Sequence, residues 1–386
     1  MRELTYVKSG RIEWRSVAEP RLQGPKEALV RPVIAARCDG DNLPLFKRVT
    51  TAIRAGVALH YLDPIATDLF GRYPYRGPFA IGHECVAEVV ECGEAVRSVR
   101  TGQLVVVPWS ISCGACSNCG NGLTSKCSEA GRTFLSAYGF GPAMGTWGGA
   151  VSDLLRVPFA DAMLVAVPRS VDPLSLASAS DNLPDAWRAV GPQLTQRPGA
   201  SVLVVGGGAK SIGLYAAGMA VALGAARVDY VDHSRERLAI AESLGARAVE
   251  SQRGRGWFGR NTPRVHGEFG IAVEASSSAA GLSYSLRSLS PGGLCTAIGY
   301  YFAKSTGLPL LQMYANCTTL NVGISHPRAD LPDVINLVSQ GMFKPLKVAT
   351  LIADWEDAPE AFMARTTKVI VRRAGYAQPR EPQEAL

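Results

Sequence analysis

The sequence lacks any apolar run that approaches the roughly 20 residues needed to cross a bilayer. Its N-terminus, Met-Arg-Glu-Leu-Thr-Tyr-Val, lacks the charged and then apolar pattern of a secretory signal. Internal repeats are missing, and so are the basic, aromatic-interleaved stretches that are typical of nucleic-acid binding. We therefore expect a cytoplasmic protein that binds neither membranes nor nucleic acids.

Charge and hydrophobicity are ordinary for a globular chain. Of 386 residues, 47% are hydrophobic and 19% are charged. This length predicts two or three domains, each long enough to form a hydrophobic core. The net charge of +7 is spread along the chain and would help to attract an anionic cofactor.

Four of the nine cysteines fall in one glycine-containing loop, at spacing x2, x2, x7: Cys113, Cys116, Cys119 and Cys127. Four thiolates without an open position are typical of a structural zinc. The first three also fit part of a ferredoxin-type cluster pattern, but the fourth comes too late for it. A disulfide interpretation would need an oxidising compartment. Zinc is favoured over both alternatives.

Four other cysteines lie in apolar or strand-like runs and are predicted to be buried thiols: Cys85, Cys92, Cys295 and Cys317.

Two kinds of pattern divide the chain. Residues 1–36 read as strands separated by Gly/Pro turns, and apolar residues at near-helical spacing predict a helix over 43–70. From about residue 170, short β-branched runs alternate with helical patterns, which predicts a doubly wound parallel sheet. The polar tail 377–386 is expected to be disordered.

A glycine turn follows one of these strands. Val202–Val205 runs into Gly206-Gly-Gly208-Ala-Lys-Ser211-Ile212-Gly213 and then into a helix of small residues. A strand, a glycine turn and a helix N-terminus present backbone N–H groups to a pyrophosphate. If Gly213 is the glycine that packs the helix on the sheet, two extra residues separate it from Gly208. The alternative is that these glycines serve only a tight turn.

Asp232 strengthens the dinucleotide interpretation, because it ends the next buried strand and could bind a ribose diol. Its charge disfavours the 2′-phosphate of NADP, whereas Arg235 and Arg237 just beyond it could accept one. We predict NAD as the cofactor, with NADP the less favoured choice.

Taken in order, Cys38, Gly82-His83-Glu84, the four-cysteine loop and the glycine turn resemble the zinc-dependent medium-chain alcohol dehydrogenases over nearly the whole chain. The resemblance implies a GroES-like β-rich catalytic domain (1–169 and 325–386) interrupted by a Rossmann domain (170–324), with the active site between them. It also implies hydride transfer between an alcohol, or an aldehyde or ketone, and NAD, with zinc as Lewis acid. Two zinc ions per chain and a dimer or tetramer are expected.

In that family a second, catalytic zinc is held by a cysteine, the histidine of Gly-His-Glu and a third ligand. Cys38 and His83 match the first two. The segment 179–184 resembles the branch containing glutathione-independent formaldehyde dehydrogenase, in which an aspartate replaces the more common cysteine, so Asp181 is the predicted third ligand. Sulfur, nitrogen and oxygen ligands leave a position open for substrate. Taken singly, His83 would more often be a core histidine and Asp181 a helix cap.

The resemblance assigns supporting roles to three more residues. Glu84 would orient the ligands or serve as an alternate ligand, Asp41 would support the ligands, and Lys368 matches a basic residue near the pyrophosphate. The family motif Cys-Gly-Ser/Thr-Asp carries a hydroxyl that passes on the substrate proton, whereas Gly40 has none. Asp39, a water or His60 are the candidate substitutes.

The stretch between Cys38 and His83 is longer than is usual in the family, and the surplus is the helical segment after Cys38. It is either an inert surface insertion or a wall over the substrate cleft. Two rival functions remain at this point: a metal-independent reductase of the same fold, and a non-catalytic dinucleotide sensor.

Overall fold

The computed structural model of the chain describes residues 1–131, 134–251 and 267–376, so the polar tail lies outside the described residues. The strands are β1 (Arg2–Lys8), β2 (Arg11–Ser16), β3 (Ala28–Arg37), β4 (Phe79–Ala80), β5 (Glu84–Cys92), β6 (Leu104–Val107), β7 (Leu155–Val157), β8 (Val165–Ala166), β9 (Val202–Val205), β10 (Val228–Asp232), β11 (Arg247–Glu250), β12 (Phe269–Glu274), β13 (Leu289–Ala297), β14 (Thr319–Val322), β15 (Leu351–Asp354) and β16 (Val369–Arg372). The α-helices are α1 (Asn42–Phe46), α2 (Val49–Ala58), α3 (Ile65–Phe70), α4 (Ser117–Gly120), α5 (Ala160–Met163), α6 (Asn182–Gln196), α7 (Lys210–Ala222), α8 (Arg235–Ser243), α9 (Ala279–Arg287), α10 (Leu310–Asn316), α11 (Pro327–Ser339) and α12 (Ala358–Met363). None of these helices is long and apolar enough to span a membrane.

The β-rich half is built on the strand β3. A seven-stranded sheet runs in the order β15-β16-β3-β5-β6-β8, with β7 also paired to β3, and a separate sheet has the order β2-β1-β4. Of the ten residues of β3, only Arg31 is exposed, because both faces of this central strand are covered. The predicted β-rich opening is confirmed. After the second domain the chain returns to this first half and adds β15 and β16 to the same sheet.

The second half is a six-stranded sheet whose strand pairs are all parallel. Its order is β11-β10-β9-β12-β13-β14, which is the doubly wound arrangement. Helices cover both faces, so β9 and β10 are completely buried. The chain leaves β9 towards β10 on one side and later returns to β12 on the other. Ligands bind at such a reversal of strand order, beyond the carboxyl ends of the strands.

The domain boundary at residue 325 remains a prediction. Leu331 and Val334 of α11 are buried in an apolar cluster that contains side chains of both halves, from β3 and β5 as well as from β9 and α7. The seven-stranded sheet is joined again only at β15.

The insertion after Cys38 is helical, but the prediction of one helix over 43–70 is wrong, since the segment forms α1, α2 and α3. His60 turns the chain after α2 with a φ of 61°, and Pro64, which lacks an N–H, precedes α3. The insertion also reaches the nucleotide-binding half. The N–H of Asp63 donates to the carbonyl of Phe302 (3.1 Å), and the ring of Phe70 lies 5.9 Å from that of Phe302.

Candidate active site and metal centres

The pairing of β3 with β5 brings Cys38 and His83 together. The two strands are antiparallel, with Ala36 opposite Glu84. Cys38 follows the end of β3 and His83 precedes the start of β5, so both lie at the same end of the strand pair. Both side chains are buried.

Asp181 comes from the other half of the molecule, directly before α6. Although it occupies the N-cap position, its carboxylate caps no helix N–H, so the helix-cap alternative fails. Its Oδ2 lies instead 3.1 Å from Cys38 Sγ and 3.4 Å from His83 Nε2. One ligand atom from each of the three residues lies within 4.8 Å of the others.

The three donors fit a divalent zinc ion. Neither buried ring nitrogen of His83 makes a hydrogen bond to any described residue, which leaves the imidazole free to act as a ligand. Burial and the neighbouring carboxylates raise the pKa of the Cys38 thiol well above its usual value. Burial lowers the pKa of His83, but Asp41 and Asp181 raise it overall. A bound cation would balance this concentration of negative charge, and a sulfur, nitrogen and oxygen set is suited to catalytic zinc.

Asp41 and Glu84 contact the predicted ligands and the segments that carry them. Asp41 Oδ2 accepts the backbone N–H of Cys38 (3.0 Å), and Oδ1 lies 3.5 Å from His83 Nδ1. Glu84 Oε1 accepts the N–H of Asn182 (3.0 Å), which fixes the start of α6 beside Asp181. Both side chains are thus placed to orient the predicted ligands, and this supporting role stays a prediction.

Lys368 is placed differently from its prediction. Its side chain is fully buried, and Nζ lies 2.5 Å from Glu84 Oε2, 2.7 Å from Asn182 Oδ1 and 3.1 Å from the carbonyl of Arg37. Three protein acceptors match the three N–H donors of an ammonium. The prediction that Lys368 meets the pyrophosphate is corrected, because the ammonium is already committed at the zinc site.

Several residues of the site were missed in the sequence. Asn182 Nδ2 donates to Cys38 Sγ (3.0 Å), and Ser325 Oγ donates to Asp181 Oδ1 (2.9 Å). The ring of Phe140 stacks on His83 at 4.4 Å. Asn182 lies beside a predicted ligand and could have been suspected. Nothing local marks Ser325 or Phe140.

A tyrosine hydroxyl lies close to Gly40, the position at which the family motif carries its hydroxyl. A Cβ added to Gly40 would be 3.7 Å from Cys38 Sγ and 3.9 Å from Tyr300 Oη. Of the substitutes named from the sequence, Asp39 is hydrogen-bonded to the start of α7 and His60 is exposed beyond α2. Tyr300 is therefore the hydroxyl nearest to the missing one among these groups.

The four-cysteine loop is folded around a common centre. One sulfur from each of Cys113, Cys116, Cys119 and Cys127 lies within 4.8 Å of the others. The sulfurs of Cys116 and Cys127 are 4.0 Å apart, far beyond the roughly 2.05 Å of a disulfide. The N–H of Cys116 donates to Cys113 Sγ (3.3 Å), and the backbone N–H of Cys119 lowers the pKa of Cys116 to about 5. The loop fits a structural zinc.

The four remaining thiols differ from one another. Cys85 and Cys295 are fully buried, as predicted, and Cys92 is partly buried. Cys317 is exposed, so its prediction is wrong. It ends α10 in the left-handed region, with a φ of 52°, on a part of the chain that contributes little to the core.

The glycines of the nucleotide turn allow close packing. A Cβ on Gly206 would lie 2.5 Å from Asp232 Oδ2, and one on Gly208 would lie 2.6 Å from Ser277 Oγ. A Cβ on Gly213 would lie 3.1 Å from that of Ala275, next to β12, as expected of the glycine that packs the helix. Ser211 and Ile212, in the first turn of α7, direct their N–H groups at Asp39 Oδ2, at 2.8 and 3.3 Å.

Asp232 is saturated within the protein. Arg237 binds it through two nitrogens, each at 2.7 Å. Tyr230 Oη and the N–H groups of His233 and Ser234 also donate to it. Arg237 neutralises its charge, so the electrostatic argument against NADP is weaker than the sequence indicated. Arg237 is equally committed and is not a free phosphate ligand.

Comparison with known proteins agrees with this geometry. Residues 24–169 match the family model described as alcohol dehydrogenase GroES-like domain, and residues 211–340 match that of zinc-binding dehydrogenase. A "probable zinc-binding alcohol dehydrogenase" of Mycobacterium tuberculosis is 28% identical over 94% of this chain and 84% of its own length. Glutathione-independent formaldehyde dehydrogenase of Pseudomonas aeruginosa is 30% identical, over 63% of this chain and 57% of its own length.

Among solved structures, alcohol dehydrogenase TADH from Thermus sp. ATN1 covers 97% of this chain and 100% of its own, with 29% identity and a TM-score of 0.78. The zinc-site donors, the doubly wound sheet and these similarities lead to one conclusion. The chain belongs to the zinc-binding medium-chain alcohol dehydrogenases, and it is an oxidoreductase of that family.

Proposed function

We propose that this protein reversibly oxidises an alcohol to an aldehyde or ketone with NAD, and that it carries two zinc ions. The catalytic zinc would be held by Cys38, His83 and Asp181, and the structural zinc by the four-cysteine loop. The observation that supports the proposal is the convergence of sulfur, nitrogen and oxygen donors from three separate segments. Asn182 links this centre to the nucleotide turn, since its Oδ1 also accepts from Ser211 Oγ (3.0 Å).

When bound, zinc supplies Lewis-acid polarisation of the substrate oxygen, and the nicotinamide accepts the hydride. The residues of the chain orient that chemistry. Asn182 donates to the sulfur of Cys38 and Ser325 to the carboxylate of Asp181, so both ligands keep one rotamer. Phe140 covers one face of His83 and excludes water from it.

Tyr300 would accept the substrate proton while it passes its own hydroxyl proton on to solvent. Its hydroxyl lies close to the position that a hydroxyl-bearing residue at Gly40 would occupy. Its ring packs against Phe70 of the insertion (6.2 Å) and against Phe302 (5.9 Å), and these contacts hold the hydroxyl over the site. The insertion would therefore serve as a wall of the cleft.

NAD remains the proposed cofactor. The Asp232–Arg237 pair is neutral as a unit and offers no uncommitted buried cation for a 2′-phosphate. Arg235, the remaining arginine, is 90% exposed and lies 3.7 Å from Glu250. A solvated arginine of this kind contributes little to binding.

The oligomeric state is proposed from the edge of the parallel sheet. β14 is an edge strand, and beside it α10 exposes Leu311 (82%) and Tyr314 (83%). Edge strands with apolar neighbours tend to pair, and a second copy of the same chain offers a self-complementary partner. A reducing compartment such as the cytoplasm would keep the cysteine loop able to bind zinc.

The function is tested with His83→Ala and Cys38→Ala. Each variant should lower the zinc content from two ions to one and abolish the oxidation of a panel of alcohols, while NADH binding is retained. Zinc is measured by mass spectrometry, turnover by absorbance of the reduced cofactor and binding by fluorescence. Undiminished turnover in a variant that has lost one zinc would overturn the proposal.

A further inference from the structure

A carboxylate lies on the N-terminus of α7, where a phosphate of the cofactor is expected. Asp39 Oδ2 accepts the N–H of Ser211 (2.8 Å), the N–H of Ile212 (3.3 Å) and the hydroxyl of Ser211 (2.9 Å). Ser211 and Ile212 are the second and third residues of α7, so their N–H groups have no partner within the helix. Such donors, at the positive end of a helix, are what the fold offers to an anion.

The contact joins the two halves of the molecule. Asp39 follows β3 of the catalytic half, whereas Ser211 belongs to the nucleotide-binding half. The hydrogen bonding of the Asp39 carboxylate is incomplete, because its Oδ1 is buried without a hydrogen-bond partner among the described residues. A carboxylate with one buried oxygen left unpaired is less stable than a fully paired one. It is thus suited to displacement.

The next residue can accommodate such a displacement. Gly40 has the widest backbone freedom of any residue type, and even a Cβ there would touch nothing closer than 3.7 Å. The single proton of the Ser211 hydroxyl has two alternative acceptors, Asp39 Oδ2 and Asn182 Oδ1 (3.0 Å), so it can donate to Asn182 once Asp39 has left. Asn182 in turn donates to the zinc ligand Cys38. Departure of Asp39 therefore leaves Ser211 satisfied and tied to the metal centre.

We propose that Asp39 is a built-in competitor of the cofactor, which occupies a phosphate position in the cofactor-free protein and has to leave when the dinucleotide binds. Asp39 thereby sets the affinity for NADH. The inference rests on the proposed function, because it requires dinucleotide binding at this turn. Two anions cannot share the same N–H donors without strong repulsion in a partly buried site.

The test is a fluorescence titration of the zinc-loaded protein with NADH, in the absence of alcohol. Asp39→Asn and Asp39→Ser remove the charge, and both variants should bind NADH at least about tenfold more tightly than the wild type. The matched control is Glu91→Gln, which removes the same charge at the far end of β5, seven residues or roughly 23 Å along the strand from Glu84. Its NADH affinity should stay within about twofold of the wild type.

Adenosine serves as a second probe, because it lacks phosphate. Its affinity, measured by calorimetry, should be the same for the wild type and both Asp39 variants. Unchanged or weaker NADH binding by both variants would overturn the inference and leave the dinucleotide function standing. Parallel changes for NADH and adenosine would assign Asp39 a structural role and overturn it too. If neither the wild type nor the variants bind NADH, the proposed function fails together with the inference.

Discussion

Lys368 Nζ lies 2.5 Å from Glu84 Oε2, and neither side chain is exposed to solvent. The pair links the residue that precedes β16 to the first residue of β5, and Asn182 Oδ1 also accepts from the ammonium. Charges removed from water in this way are tolerated only when they are paired and hydrogen-bonded. The pair therefore ties β5 and the strand segment before β16 together beside the Cys38, His83 and Asp181 cluster, and we expect its stability to depend on both partners.

Lys368→Met should lower the free energy of unfolding by about 3–5 kcal/mol, because it leaves the carboxylate of Glu84 buried without its charged partner. The double variant Lys368→Met/Glu84→Gln should recover part of that loss. Urea unfolding at pH 7 measures both.

An exposed ion pair provides the control for this effect. Arg2 lies 2.8 Å from Glu356 at the surface, so Arg2→Met should cost less than about 1 kcal/mol. If Lys368→Met and Arg2→Met lower the free energy of unfolding equally, the buried pair contributes no more to stability than the exposed one.

Cys119→Ser should remove one zinc per chain and lower the melting temperature, since a thiolate ligand is lost from a closed four-sulfur site. Turnover at low temperature should persist, because the catalytic donors are untouched. Zinc analysis and thermal unfolding measure the two effects. The matched control is Cys317→Ser, which alters an exposed thiol outside both metal clusters and should change neither quantity. A full zinc complement in Cys119→Ser would contradict the structural-zinc assignment.

The predicted ligands could be named because each lies in a short motif, and the structure brings their donor atoms together. Residue type and spacing mark the four-cysteine loop, whereas resemblance to the family's motifs marks Cys38, His83 and Asp181. No local motif indicates the residues that contact these ligands. Ser325 bonds to Asp181 across 144 positions of the chain, and Tyr300 reaches Gly40 from the far half of the molecule.

The main errors in the sequence-based predictions concern which groups two charged side chains contact. Asp232 and Lys368 are both functional-looking charged residues, and the structure saturates each of them with neighbours: Arg237 for the first, Glu84 and Asn182 for the second. Pairing of buried charges is decided by tertiary packing, which local patterns do not encode. The apolar spacing of the insertion indicated helix correctly, but it could not show that the chain turns at His60.

Tyr300→Phe should lower kcat by about 10²-fold or more, because it removes the proposed proton-transferring hydroxyl and keeps the ring that packs on Phe70. The NADH affinity should not change. Gly40→Ser fits the available space, since its Cβ would meet only ordinary contact distances, and it should restore part of kcat in the Tyr300→Phe background.

Tyr138→Phe is the matched control for this loss. It removes a hydroxyl that donates to the carbonyl of Arg156, away from the zinc donors, and should leave kcat unchanged. The pH profile of kcat separates the two roles, because loss of a proton-transfer group changes its shape whereas loss of a packing group does not. If Tyr300→Phe keeps the wild-type rate and profile, another group carries the proton.

The oligomer proposal predicts that Leu311→Glu/Tyr314→Glu shifts the protein to the monomer mass in light scattering coupled to size exclusion. Two charges at these exposed positions would oppose burial against a second copy. The control is Leu59→Glu on the insertion, where the native leucine is 64% exposed and lies outside the sheet edge. A wild type that already elutes as a monomer would refute the proposal.

Cofactor choice should depend on which partner Arg237 has. Wild-type protein should prefer NAD in kcat/KM. Asp232→Ser would release the guanidinium, which can then bind a 2′-phosphate through two nitrogens, so the NADP/NAD ratio of kcat/KM should rise by about tenfold or more. Adding Arg237→Ala should abolish the gain. Arg235→Ala should change the ratio little, because that side chain is 90% exposed. The wild type could instead prefer NADP and lose that preference in Arg235→Ala. That result would show that the exposed Arg235, and not the buried Asp232–Arg237 pair, determines the choice of cofactor.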